Sequence, residues 1–86
     1  MKYLICYDIS NEKRLAKVVK RLESVAVRLE YSVFYVDFES KMDLETFLER
    51  LVACIDSEED DIRAYAIIKA VDVLGQGVSI ESLHII

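Results

Sequence analysis

The apolar residues of this chain switch repeatedly between the spacing of a β-strand and the spacing of a helix. Residues 2–9 are rich in β-branched and aromatic side chains, which favours a strand. Residues 15–26 place apolar side chains at i, i+3, i+4, i+7 and i+11, which predicts an amphipathic helix. Ser10 or Asn11 can cap this helix, which we expect to end near Val25. Such alternation within 86 residues indicates one small domain of the α+β class.

The rest of the chain continues the alternation. Segment 27–39 exceeds the usual length of a strand, so we expect two strands with a tight bend or bulge near residues 30–32. The capping sequence that begins at Ser40 opens a second helix, which carries an apolar stripe as far as about Ile55. The remaining predicted segments are a strand at 62–70, one short turn at 71–74, a glycine hinge at 75–77 and a last strand at 78–86.

This order, β-α-β-β-α-β plus an appended strand, is that of the ferredoxin-like sandwich, in which two helices cover one face of an antiparallel sheet. Residues 1–74 would form that domain, and residues 75–86 would form the hinge and a C-terminal edge strand. The strands at 3–9 and 33–38 are apolar on both faces, and 53% of all residues are hydrophobic. Because the helices cover only one face, we expect a homodimer to cover the other, with the C-terminal strand docked on the partner subunit.

Charge is distributed unevenly along the chain. The net charge of −5 argues against nonspecific nucleic-acid binding by the whole surface. Residues 1–40, however, hold seven Lys and Arg against six Asp and Glu, whereas residues 41–86 hold four against ten. At 100° per residue, the cations of the first helix fall within an arc of roughly 120°. These cations are Lys13, Arg14, Lys17, Lys20 and Arg21. This basic face is either a solvated surface or a contact for the phosphate backbone of a nucleic acid.

Asp8 stands at the end of the first predicted strand, on the same face as Leu4 and Cys6. One interpretation is a turn or capping aspartate. The other is a ligand for a hard cation, because Mg²⁺ often uses only one or two carboxylates and keeps waters and phosphate oxygens as its other ligands. A two-fold dimer could bring Asp8 near its symmetry mate, and such a site could activate water for phosphodiester hydrolysis.

The remaining candidate features favour structural roles. Cys6 and Cys54 lie in different predicted elements, so we expect two small buried side chains in a reducing cytosol. The acidic run at 56–61 is interpreted as a solvated loop, because it lacks the ligand spacing and the glycine of a calcium loop. His84 lies among apolar residues near the C-terminus and is expected to be packed or interfacial, not catalytic. No apolar run approaches the roughly 18 residues that span a bilayer, so we expect a cytoplasmic protein without a membrane partner.

Three stretches of the sequence resemble the CRISPR-associated protein 2 family, in order along the chain. They are YLICYDISNEKR from Tyr3, RLEYSVF from Arg28 and DDIRAY from Asp60. The resemblance implies that Asp8 is the metal-binding nuclease aspartate of that family. It implies supporting roles at five positions: Tyr7, Arg14, Arg28, Ser32 and Phe34. It also implies a homodimer formed through the sheets, with the C-terminal strand crossing to the partner.

Taken together, the residues and the resemblance favour a CRISPR-associated endonuclease that hydrolyses RNA or DNA with Mg²⁺ or Mn²⁺ during spacer acquisition. Asp8 would be both the metal ligand and the catalytic residue, while Arg28 and the cations of the first helix would hold phosphates. Two alternatives remain open. The dimer could be a non-catalytic bridge that binds DNA for the CRISPR integrase, or an effector-binding regulatory dimer of the same fold. The second of these usually carries a glycine-rich effector loop, which the sequence lacks.

Overall fold

The computed structural model describes residues 1–73 and 77–85 of the chain. Within those ranges the elements follow the predicted order of strands and helices. They are β1 (Lys2–Asp8), α1 (Glu12–Glu23), β2 (Val27–Glu30), β3 (Val33–Asp37), α2 (Lys41–Val52), β4 (Asp61–Val73) and β5 (Gly77–Ile85). No helix in the described ranges is long and apolar enough to cross a membrane.

One antiparallel sheet contains all the described strands, in the order β2-β3-β1-β4-β5. β1 therefore lies at the centre, paired with β3 on one side and β4 on the other. Its register sets Cys6 between Val33 and Arg63, and Asp8 opposite Asp61. The ferredoxin-like fold predicted from the sequence is confirmed.

The core lies between one face of the sheet and the two helices. Along β1 the buried side chains alternate with half-buried ones, because successive residues of a strand point to opposite faces. The buried set from all elements forms one apolar cluster: Tyr3, Ile5, Tyr7, Val18, Leu22, Phe34, Val36, Leu44, Leu51 and Ala64. The helices contribute through the predicted apolar stripes, and the spacing of those stripes decides which side of each helix packs on the sheet.

Capping residues fix where both helices begin. The side chain of Asn11 accepts hydrogen bonds from the backbone N–H groups of Lys13 and Arg14, at 2.9 and 3.1 Å. Ser40 accepts one from the N–H of Asp43 at 3.2 Å. These bonds satisfy donors that a helix leaves unpaired in its first turn. Both helices end a few residues before the predicted positions, at Glu23 and Val52.

The opposite face of the sheet carries apolar side chains that remain partly exposed. Leu4 and Cys6 are half-buried there, and their cross-strand neighbours Val33 and Tyr35 share that face. Val27, opposite Tyr35 on the edge strand β2, is 62% exposed. We refer to this surface as the open face. Its composition matches the predicted dimer surface, and the homodimer itself stays a prediction.

The C-terminal part differs from the sequence-based expectation. The short turn predicted at 71–74 is wrong for residues 71–73, because β4 continues to Val73 and pairs there with Gly77 of β5. The β-branched residues of this stretch favour an extended backbone, and the pairing with β5 supplies its ladder hydrogen bonds. β5 pairs with β4 of the same chain, and its docking on a partner subunit stays a prediction. Residues 74–76 and 86, with most of the proposed hinge, lie outside the described residues, as does the side chain of His84.

We predict that the chain forms a homodimer through the open face. Light scattering at micromolar concentration should give twice the chain mass of 9.9 kDa. Leu4→Lys should shift the protein towards monomer, because it places a charge on the surface that the partner would cover. Met42→Lys is the matched control, since Met42 is 75% exposed on α2. A monomeric wild-type protein, or equal loss of dimer in both variants, would contradict the prediction.

Candidate functional site

Asp8 is the last residue of β1, and its side chain is exposed. The register places it opposite Asp61, the first residue of β4. Directly opposed residues of antiparallel strands have Cβ atoms about 4.5–5.5 Å apart and point to the same face. Two carboxylates of each chain therefore meet at this end of the open face. Sequence reasoning missed Asp61, because the pairing depends on the register of two strands that are more than 50 residues apart along the chain.

A guanidinium group holds one of the two carboxylates. Arg63 Nε donates to Asp61 Oδ2 at 2.8 Å, and both side chains are more than half exposed. This bond with Asp61 raises the pKa of Arg63 further above its usual value. Among the described residues, no side chain donates a hydrogen bond to Asp8. Asp8 therefore offers both of its carboxylate oxygens to solvent or to a ligand.

A cleft adjoins Asp8 on the side of the β2–β3 turn. Its volume is about 330 Å³, and it is lined by Tyr7, Asp8, Ile9, Leu15, Tyr31 and Ser32. The tight bend predicted at residues 30–32 is confirmed, since Ser32 adopts the left-handed φ of 64°. The carbonyl of Ser32 accepts a hydrogen bond from the N–H of Tyr7 at 3.2 Å, which fixes the turn beside the end of β1. Ser32 thus shapes the wall of the cleft that Asp8 borders.

Three predicted supporting residues meet behind the strand end. Arg28 Nη2 donates to Tyr7 Oη at 3.4 Å, and Arg28 Cζ lies 5.2 Å from the centre of the Phe34 ring. The Tyr7 and Phe34 rings lie 6.2 Å apart. The register of β2 against β3 explains this cluster, because it places Arg28 directly opposite Phe34. The rings of Tyr7 and Phe34 are both buried on the face of the sheet that the helices cover. Arg28 and Asp8 consequently belong to opposite faces of the sheet, and the described contacts do not join them.

The predicted basic face of α1 separates into two parts. Lys13, Lys17, Lys20 and Arg21 are exposed. The last three of them line a groove of about 630 Å³ together with Ser24, Ala53 and Cys54, where α1 meets the end of α2. We refer to it as the basic groove. Arg14 differs, because it is half-buried and its guanidinium contacts acidic side chains of the loop before β4.

The acidic loop is not wholly solvated as predicted, because the Asp60 side chain is fully buried. Arg14 Nε donates to Asp60 Oδ2 at 2.7 Å, and Arg14 Nη2 donates to Oδ1 at 3.2 Å. The backbone N–H groups of Ser10 and Asp56 also donate to this carboxylate, at 3.1 and 2.9 Å. The hydrogen bond from Arg14 holds the pKa of Asp60 well below its usual range. With the Ser10 hydroxyl, which donates at 3.3 Å, five donors from three parts of the chain thus compensate the burial of this charge.

Exposed carboxylates are the ligands that suit Mg²⁺, which takes one or two of them and keeps waters in its remaining positions. The Asp8 end of the open face meets this requirement, with Asp61 as a second carboxylate of the same chain. Within the described ranges, no group of three or more metal-ligating side chains is present. Cys6 is unpaired and half-buried, and its burial raises the pKa of the thiol. A protonated thiol agrees with a structural role for Cys6.

Known proteins resemble the chain in sequence and in fold. The model of the family described as CRISPR associated protein Cas2 matches residues 1–72. The chain is 36% identical to the CRISPR-associated endoribonuclease Cas2 2 of Thermodesulfovibrio yellowstonii, over 87% of this chain and 84% of that protein. The fold resembles the crystal structure of a hypothetical protein from Thermus thermophilus, with a TM-score of 0.75, 32% identity and coverage of 88% and 92%. It also resembles Streptococcus pyogenes Cas2, with a TM-score of 0.68, 31% identity and coverage of 77% and 84%.

We predict that Asp60 makes the folded protein sensitive to acid. Because the folded state holds the pKa of Asp60 below its ordinary value of 3.8, this carboxylate stabilises the fold above about pH 4. That contribution is lost as the pH falls from 3.8 towards the lower folded pKa. Urea unfolding between pH 5 and pH 2.5 should therefore show a steeper loss of stability for wild type than for Asp60→Asn. Asp56→Asn, which removes a carboxylate from the same loop, is the control, and an unchanged slope in Asp60→Asn would contradict the prediction.

Proposed function

The chain belongs to the CRISPR-associated Cas2 family, and from this premise we propose that it is a metal-dependent endonuclease that hydrolyses RNA or DNA in spacer acquisition. Asp8 is the observation that carries the proposal. It is an exposed carboxylate at the end of the central strand, with a second carboxylate opposite it and a cleft beside it. The name endoribonuclease, carried by the relative from Thermodesulfovibrio yellowstonii, supports the same class of reaction.

In this proposal Asp8 binds Mg²⁺ or Mn²⁺ and is the catalytic residue. A bound divalent cation lowers the pKa of a coordinated water and neutralises charge on the phosphodiester. Asp8 can bind it because its carboxylate oxygens have no donor among the described residues. Asp61 lies opposite, where Arg63 fixes its orientation. A homodimer formed through the open face would bring the Asp8 sites of two chains onto one interface, which suits a cation that needs few carboxylates from each chain.

Nucleic-acid binding in this proposal belongs to the cations of α1. Lys13, Lys17, Lys20 and Arg21 are exposed and would contact phosphates, and Arg14 would take part at its solvent side. Arg28 is committed to Tyr7 and Phe34, so it supports the strand end, and its exposed part is available to phosphate. Each phosphate contact releases a counterion from the nucleic acid, so binding should weaken as salt increases.

A second candidate function is a non-catalytic bridge that binds DNA for a CRISPR integrase. The basic groove favours it, because Lys17, Lys20 and Arg21 line a surface where the two helices meet, on the face opposite Asp8. DNA bound there would not need the carboxylate site. Both candidate functions place the protein in the cytoplasm, where CRISPR arrays and their transcripts are found. Neither uses the effector loop of the regulatory dimers that share this fold.

Asp8→Asn should lower the rate of cleavage of labelled RNA or DNA in Mg²⁺ by roughly 100-fold or more, because it removes the negative charge that holds the cation. The dimer should remain intact, since the side chain is exposed. Asp37→Asn is the control, an exposed aspartate at the end of β3, opposite the start of β1, where its carboxylate pairs with the N-terminal ammonium. A variant that cleaves as fast as wild type in Mg²⁺ and in Mn²⁺ would refute the nuclease proposal.

Charge reversal in the basic groove tests the binding surface. The double variant Lys17→Glu, Lys20→Glu should weaken the binding of duplex DNA. It should also make the slope of log K against log salt concentration shallower, by about 0.9 for each phosphate contact that is lost. Lys41→Glu, an exposed lysine of α2, should change the slope little. Fluorescence anisotropy from 50 to 300 mM salt measures both. Equal slopes in all three proteins would show that the basic groove does not contact the backbone.

A further inference from the structure

Asp60 joins three parts of the chain through its carboxylate. Its carboxylate accepts from the backbone N–H of Ser10 at 3.1 Å and from the Ser10 hydroxyl at 3.3 Å, in the corner between β1 and α1. It accepts two hydrogen bonds from Arg14 in the first turns of α1. It also accepts from the N–H of Asp56, in its own loop. A buried carboxylate with this many donors fixes the positions of all the groups that donate to it.

The position of Asp60 in the sequence gives these contacts a consequence for the Asp8 site. Ser10 follows Asp8 by two residues, and Asp60 directly precedes Asp61, the cross-strand neighbour of Asp8. The hydrogen bonds between Ser10 and Asp60 therefore form a clamp, which holds the end of β1 against the start of β4, where the exposed carboxylates lie. The end of a sheet normally frays, because its last residues lack neighbours beyond them. The clamp opposes fraying at the place where the two carboxylates must keep their separation.

We propose that Asp60 is a positioning residue, which sets the geometry of the Asp8–Asp61 carboxylate pair and the direction of the Arg14 guanidinium. The proposal rests on the proposed function, because it assigns Asp60 to the cation and phosphate sites named there. Asp60 is buried and touches neither ligand itself. It acts through Ser10 on the carboxylates and through Arg14 on the phosphate-binding face of α1.

The contacts of Arg14 show how Asp60 can position the guanidinium and still leave it free to bind a phosphate. Asp60 binds Nε and Nη2, which fixes the plane of the guanidinium, and Glu59 Oε2 also accepts from Nη2 at 3.2 Å. Within the described ranges, Nη1 has no hydrogen bond, and 25% of the Arg14 side chain is exposed. A guanidinium held along one edge presents its remaining donors in a fixed direction, which suits a phosphate oxygen. The buried carboxylate thus orients Arg14 without occupying the whole guanidinium group.

The test compares Asp60→Asn with two controls in the full-length protein. Asp56→Asn removes a charge from the same loop, and Val36→Ala creates a cavity in the core at the opposite end of β1, where Val36 pairs with Tyr3. Mn²⁺ affinity is measured by electron paramagnetic resonance under conditions where every variant is folded. Asp60→Asn should weaken Mn²⁺ binding by roughly 10-fold or more, the usual effect of losing a residue that orients a metal ligand. Both controls should bind Mn²⁺ as wild type does.

Amide hydrogen exchange gives a readout that does not depend on the cation. In Asp60→Asn, the backbone amides of residues 9–14 should exchange faster than the measured loss of global stability alone would cause. In Val36→Ala, the exchange of the same amides should match the measured loss of global stability. The inference is overturned if Asp60→Asn binds Mn²⁺ as wild type does, or if Val36→Ala weakens binding equally. It is also overturned if exchange of residues 9–14 follows global stability in Asp60→Asn.

These results separate the inference from the proposed function. A wild-type protein that binds Mn²⁺ but cleaves neither RNA nor DNA would refute the nuclease proposal, and the Mn²⁺ affinities of the variants would still decide the role of Asp60. A wild-type protein that binds no Mn²⁺ would refute the metal site and, with it, the part of the inference that concerns Asp8 and Asp61. Amide hydrogen exchange of residues 9–14 would then decide whether Asp60 fixes the corner between β1 and α1 and the position of Arg14.

Discussion

The side chains of β1 alternate between the two faces of the sheet, and both the core and the Asp8 site follow from this alternation. Because β1 is the central strand, its odd-numbered residues anchor the core beneath the helices, and its even-numbered residues line the open face. A shift of one residue in its register would exchange the two faces. Asp8 would then point towards the helices, where a carboxylate without donors would be costly. The packing of Tyr3, Ile5 and Tyr7 therefore also keeps Asp8 accessible.

The two ends of the α1 sequence perform different tasks on this scaffold. Near its start, Arg14 joins the helix to the buried Asp60 and so to the loop before β4. Towards its end, Lys17, Lys20 and Arg21 remain exposed in the basic groove. One stripe of cations thus contains both an internal ion pair and an external surface. This division allows a chain with a net charge of −5 to keep a local basic surface, to which we assign the proposed phosphate contacts.

The fold could be predicted from the sequence because it depends on local patterns. The spacing of apolar residues predicted both helices, and the length of segment 27–39 predicted the bend before Val33. The order of these elements then predicted the topology of the sheet. The burial of Asp60 could not be predicted in this way, since its partner Arg14 is 46 residues away and no periodic pattern joins them. The pairing of Asp8 with Asp61 was missed for the same reason, as it follows from strand register and not from spacing along the chain.

Paramagnetic broadening by Mn²⁺ in a ¹H–¹⁵N spectrum tests whether the Asp8 end of the open face binds a divalent cation. Bound Mn²⁺ broadens the amide signals of nearby residues, so substoichiometric Mn²⁺ reports where the cation lies. We expect residues 7–9 and 61–62 to broaden first, and residues 36–38, near the opposite end of β1, to stay sharp. Broadening confined to the acidic residues 56–59, or no selective broadening at all, would contradict a cation site at Asp8.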